Sequence, residues 1–132
     1  MKITDINSLN AVKSAGMKKI QPNTPMISVG MGTCGVGNGA DKLFEAFGNA
    51  IGKKKAPIKL NQTGCFGFCA AEPLVNVYIP GMPLVILSKV TLKDIASIVD
   101  SVAKGNMPLK KALCKVEEWE LSCFSKIIFN CL

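Results

Sequence analysis

Two short stretches of the chain concentrate the residue types that do chemistry. Cys65 and Cys69 bracket Phe66-Gly67-Phe68 in the run Thr63-Gly64-Cys65-Phe66-Gly67-Phe68-Cys69, and Cys34 sits in the glycine-rich run from Gly30 to Gly39. Thiolates are soft donors that favour zinc or iron–sulfur clusters over hard cations. Gly64 and Gly67 let the backbone curl so that amides point at sulfur, and Phe66 and Phe68 are placed to shield a bound group from water. The chain has no histidine. That removes every zinc site needing imidazole and the usual neutral-pH proton carrier. By itself a Cys-x3-Cys pair leaves three readings open: a metal or cluster ligand loop, buried structural thiols, or a reactive thiol pair. The three-residue spacer departs from the two-residue spacer of thioredoxin-type redox motifs. The glycine loop spells neither a dinucleotide fingerprint nor a P-loop, so its glycines are read as allowing close approach of backbone to a bound group. Glu72, next to Pro73, reads first as a surface or turn residue, and otherwise as one that caps or orients the cysteine loop. No residue is singled out as catalytic.

These loops need a frame. Residues from about Asp5 to Lys19 read as a helix with Ile6, Leu9 and Val12 on one stripe and Asp5 or Asn7 as cap. Met26-Ile27-Ser28-Val29 is a short apolar strand leading into the first loop. Ala40, Leu43, Phe44, Phe47 and Ile51 follow helical spacing, and Gly52 ends that helix. Pro57 to Asn61 reads as a second strand leading into the second loop. Leu74 to Ile79 and Leu84 to Leu87, separated by Pro80-Gly81-Met82-Pro83, read as a hairpin. Thr91 is read as the cap of a last helix, with Leu92, Ile95, Ala96, Val99, Val102 and Ala103 on one face. The order α-β-α-β-β-α predicts an α/β fold, a thioredoxin-like sandwich with a mixed four-stranded sheet and a C-terminal tail. The first two strands are parallel, and sites in such sheets lie beyond the carboxyl ends of strands, so the fold itself brings Cys34 toward Cys65 and Cys69. The expected divisions are 1–25 (helix and linker), 26–105 (the α/β domain) and 106–132 (a tail that links to a further domain or docks on a partner).

Composition narrows the function classes. The 132 residues are 48% hydrophobic, enough for a core, and no apolar run approaches the ~20 residues that span a bilayer, so membrane insertion is not expected. Met1 to Ser8 lacks the apolar centre of a signal peptide, which predicts a cytoplasmic protein. In a reducing compartment six cysteines are expected to bind metal, to react or to sit as buried thiols rather than to form disulfides. Cys114, Cys123 and Cys131 are read as packing residues, and Trp119 as a packing anchor of the tail. The net charge is +7 and every basic residue is lysine. Without arginine there is no bidentate fork for phosphate or guanine, so nucleic acid is not an expected partner. Lys53-Lys54-Lys55 reads as a solvated helix end. The charge better suits docking on an acidic protein partner.

The run Thr63-Gly64-Cys65-Phe66-Gly67-Phe68-Cys69, followed by Glu72-Pro73-Leu74-Val75, resembles the thioredoxin-like [2Fe–2S] ferredoxin family. That family includes the small iron–sulfur subunit of NADH dehydrogenase and the N-terminal domain of NADH-binding flavoprotein subunits of bacterial hydrogenases. Ile27 to Gly35 through Gly39-Ala40 is similar to the first cysteine loop of the flavoprotein-subunit domains. The resemblance spans roughly residues 26 to 105. It implies a [2Fe–2S] cluster held by Cys34, Cys65 and Cys69, single-electron exchange with a flavoprotein or NADH-binding subunit of an NADH dehydrogenase- or hydrogenase-type oxidoreductase, and a chain that is not an enzyme alone. A homodimer is compatible with it, and the chain by itself is not expected to bind NADH. The family supplies four cysteines, two per loop, whereas the first loop here has only Cys34. The fourth ligand is then left among Thr33, Ser28, water and Cys114. The competing expectations are a docking domain that has lost its cluster, a thiol–disulfide protein and a structural zinc site.

Overall fold

A computed structural model of the chain describes residues 3–116 and 129–131. The expected order of elements is present, with two more strands. Helix α1 (Ile6–Ile20) is followed by β1 (Met26–Gly30), the short helix α2 (Thr33–Gly37), α3 (Ala40–Lys54) and β2 (Lys59–Thr63). A 3-10 turn at Cys69–Ala71 leads to β3 (Val75–Tyr78), β4 (Leu84–Leu87), α4 (Ile95–Ala103), β5 (Ala112–Val116) and β6 (Phe129–Cys131).

The strands form one mixed sheet in the order β2-β1-β3-β4-β5-β6. Strands β1 and β2 run parallel, joined through α2 and α3, and every other pairing is antiparallel. All five residues of β1 are buried, as befits a strand flanked on both sides and continuous in apolar character apart from Ser28. β2 lies at the edge and is largely exposed. Ile27, Val29, Val75, Val77, Val85 and Leu87 point to one face of the sheet. They meet Ala40, Leu43 and Phe47 of α3 and Ile95, Ile98, Val99 and Val102 of α4. At about 1.5–3 kcal/mol for each large side chain buried, this layer is the main source of stability. The opposite face carries a smaller cluster of Leu74, Ile86 and Cys114.

The sheet differs from the expected four strands because residues 112–116, read from sequence as tail, pair with β4 through Leu84↔Val116, Val85↔Lys115 and Ile86↔Cys114. The physical reason is that β4 would otherwise be an unpaired apolar edge, and Cys114 and Val116 fill its outer face with Lys115 turned between them. β6 then pairs with β5 through Cys114↔Cys131. Cys123 and Trp119 lie outside the described residues.

The glycine-rich stretch after β1, read as a loop, contains the helical turn α2. The last helix begins at Ile95 instead of near Thr91. Thr91 and Asp94 close a turn in which the Thr91 amide and hydroxyl both donate to Asp94 Oδ2, at 2.8 and 2.6 Å. Helix α1 carries the expected cap: Ser8 N–H donates to Asp5 Oδ1 at 2.7 Å, and Asp5 N–H donates to Ser8 Oγ at 3.2 Å. Its apolar stripe buries no residue, and Ile6 remains 74% exposed.

Candidate metal centre

The two cysteine loops leave the carboxyl ends of adjacent parallel strands. β1 ends at Gly30 and β2 at Thr63, which are partners in the ladder. The Met31 amide donates to the Thr63 carbonyl at 2.8 Å, which carries the pairing one residue beyond β1. From there α2 presents Cys34 at its second residue, while the chain after β2 presents Cys65 and then Cys69 at the start of the 3-10 turn. The loops pack so closely that a Cβ on Gly32 would lie 2.9 Å from Cys65 Cβ. A Cβ on Gly35 would lie 2.3 Å from the Gly30 carbonyl oxygen. Glycine at both places is therefore a steric requirement for bringing Cys34 against the second loop.

All three thiols are free and exposed. Cys69 interacts with both of the others. A hydrogen bond and charge repulsion from Cys34, with some desolvation, push its pKa up, while a hydrogen bond from Cys65 pulls the other way. A cation bound beside Cys69 would remove the repulsion between its thiolate and that of Cys34. Cys65 Sγ also accepts the Gly67 amide at 3.2 Å. This is the N–H···S bond that the glycine after Phe66 permits, and Gly67 adopts the left-handed φ of 85° to make it.

Three free, exposed thiols are soft donors of the kind an iron–sulfur cluster takes. Among the described residues no three Cys, Asp or Glu side chains close on one point as a mononuclear ion requires. A two-iron cluster spreads its ligands over two metal atoms, so thiols delivered from two separate loops would suit it.

The other sequence-predicted donors fall in different places. Thr33 is next to Cys34 as the first residue of α2. Ser28 is buried in the middle of β1. Cys114 is 1% exposed in β5 among Leu74 and Ile86. β5 lies three strand positions from β1, about 14 Å at the usual spacing. Glu72 is 6% exposed, and its Oε2 accepts the Leu74 amide at 2.8 Å. It therefore orients the chain from a buried position as it leaves the cysteine loop for β3, in place of the surface or turn role favoured from sequence. That carboxylate also lies 3.2 Å from the Cβ position of Gly35, so it backs the Cys34 turn as well, a link that sequence spacing does not reveal.

No protein-family model matches the chain, and comparison with curated proteins finds no match. Solved structures do match. A thioredoxin-like [2Fe-2S] ferredoxin from Aquifex aeolicus superposes with a TM-score of 0.60 at 22% identity, over 73% of this chain and 96% of that chain. A second structure of the wild-type protein from the same organism gives 0.56 at 20% identity, over 73% and 99%. A Cys-to-Ser variant of it gives 0.56 at 20%, over 71% and 99%. The alignment thus takes in nearly the whole length of those proteins. The chain adopts the fold of the thioredoxin-like [2Fe-2S] ferredoxins, the family its two cysteine loops resemble.

Proposed function

We propose that this chain is an electron-transfer protein that holds a [2Fe–2S] cluster on Cys34, Cys65 and Cys69. The observation that carries the reading is the close packing of the two cysteine loops, where a Cβ on Gly32 would lie 2.9 Å from Cys65 Cβ. Three thiols from two separate loops lie at the carboxyl end of a parallel strand pair, on a fold shared with iron–sulfur ferredoxins. When bound, such a cluster supplies a one-electron acceptor whose potential depends on ligand type, hydrogen bonds to sulfur and exposure.

The chain's own residues set the rest. Gly67 N–H stabilises negative charge on Cys65 Sγ, which favours the reduced state of a bound cluster. The fourth ligand is an oxygen donor, for which Thr33 is best placed because it adjoins Cys34, whereas Cys114 is packed in the sheet. Hard oxygen ligation lowers the potential relative to four thiolates. Val36, Phe66 and Phe68 flank the cysteines in the chain and are exposed. They give the cluster edge an apolar docking rim, and the net charge of +7 favours an acidic partner surface. The partner in this reading is a flavoprotein or NADH-binding subunit of a larger oxidoreductase.

The test is iron and acid-labile sulfide per chain after anaerobic reconstitution, with a visible spectrum. Two irons and two sulfides are expected. Cys34→Ser, Cys65→Ser and Cys69→Ser are each expected to lower the iron content or shift the spectrum, while Thr33→Val lowers iron content with the fold intact. A colourless, folded protein under those conditions overturns the reading.

A further inference from the structure

The sheet face turned away from α3 and α4 holds a second feature, which does not depend on the cluster. Asn61, Ser28 and Asn76 occupy matched positions on three neighbouring strands: Ser28 pairs with Asn61 on one side and with Asn76 on the other. They form a polar row about 10 Å long at the usual strand spacing. Ser28 and Asn76 are both buried, at 5% and 6% exposure. Polar side chains at such positions require hydrogen-bond partners, yet the Asn76 carboxamide oxygen has none among the described residues.

This row borders a cavity of about 530 Å³. That is the size range of small-molecule sites. Phe66, Tyr78 and Met82 contribute to its walls, and Lys19 is the one charged residue among the described lining residues. A carboxamide offers an acceptor and a donor side by side. Its complement is an amide edge in which N–H adjoins C=O. The sheet floor and the two aromatic side chains favour a flat ring, and among the described lining residues the lack of acids and of any second cation favours an uncharged one.

We infer that this cavity is a binding site for a flat, uncharged heteroaromatic molecule with a lactam or imide edge, read by Asn76 within the polar row Asn61–Ser28–Asn76. Phe66 belongs to the same loop as Cys65, so the ligand lies beside the cysteine loop. Its binding is expected with or without a cluster.

The test uses naphthalimide, a fluorescent planar imide, titrated with the purified full chain without metal. N-methyl-naphthalimide serves as the comparison that lacks the donor. Saturable 1:1 binding with a Kd below about 1 mM is expected, weakened about tenfold by N-methylation. Asn76→Leu, which keeps the volume but removes the amide, is expected to weaken naphthalimide by a similar factor and to leave the N-methyl compound unchanged. The N-methyl comparison on the unmodified chain needs no variant to fold. Absence of saturable binding overturns the inference, and so does equal binding of the two compounds. Neither outcome touches the iron and sulfide count by which the cluster reading is judged.

Discussion

Gly35 shows how a single missing side chain shapes the candidate centre. A methyl group there meets the Gly30 carbonyl oxygen at 2.3 Å and the Glu72 carboxylate at 3.2 Å. The first neighbour is backbone at the end of the central strand, so it cannot swing aside as a flexible side chain does. Gly35→Ala is expected to destabilise the fold by about 1–3 kcal/mol, the usual range for overpacking. Gly37 is two residues further along the same helix and has open space around its Cβ position, so Gly37→Ala is expected to leave stability unchanged or slightly raised. Urea unfolding of the two variants checks the contrast. Equal midpoints would show that α2 is not pressed against β1 as described. Because Cys34 precedes Gly35, the same displacement is expected to reduce iron retention in Gly35→Ala and not in Gly37→Ala.

At the scale of elements, the entry to α4 is tied to the segment before β5 through Asp94. Lys111 Nζ lies 2.8 Å from Asp94 Oδ2 and donates to the Lys89 carbonyl at 2.6 Å. Partial burial pushes the Asp94 pKa up, but the hydrogen bonds from Lys111 and Thr91 outweigh it and bring the carboxyl down from 3.8 to about 2. The folded pKa is depressed, so the stabilising contribution is complete above the unfolded value near pH 4 and is lost as pH falls through about 2. The carboxylate is near solvent, so screening reduces its worth to about 1 kcal/mol. Asp94→Asn is expected to be less stable than the parent by about that amount at pH 7, with the gap closing between pH 4 and pH 2. Denaturant midpoints across that range check it, and a gap independent of pH would assign the loss to packing instead. Sequence placed this helix and named Thr91 as its cap. It did not show the ion pair that ties Asp94 to Lys111, which is distant in the chain.

At the scale of the whole molecule, what sequence made legible was whatever local spacing controls. The helical spacing of Ala40, Leu43 and Phe47, the Pro-Gly turn between β3 and β4, and the two cysteine loops all appear where they were expected. The approach of the two cysteine loops followed from strand order alone, since parallel β1 and β2 end side by side. Two features stayed hidden because they depend on pairing between distant segments. One is the polar row Asn61–Ser28–Asn76, whose members look like isolated polar residues until the register aligns them. The other is β5, whose alternation in Leu113-Cys114-Lys115-Val116 is too short to stand out after Lys110-Lys111.

The hidden strand bears on how the cysteines divide between chemistry and packing. Cys114 is 1% exposed and joins Leu74 and Ile86 in the second core cluster, on a strand three positions from β1. A packing role and a ligand role for it predict opposite patterns of loss. Removing a small buried side chain costs its transfer free energy plus a cavity, so Cys114→Ala is expected to lower stability by about 1–2 kcal/mol. The iron content of the reconstituted protein is expected to be unchanged. Cys65→Ser is expected to do the reverse, because Cys65 is exposed and contributes nothing to the core. Urea unfolding and iron analysis on the same two variants separate the roles. If Cys114→Ala loses iron while keeping its unfolding midpoint, the fourth ligand is a thiolate from β5, and that strand must move toward the cysteine loops to supply it.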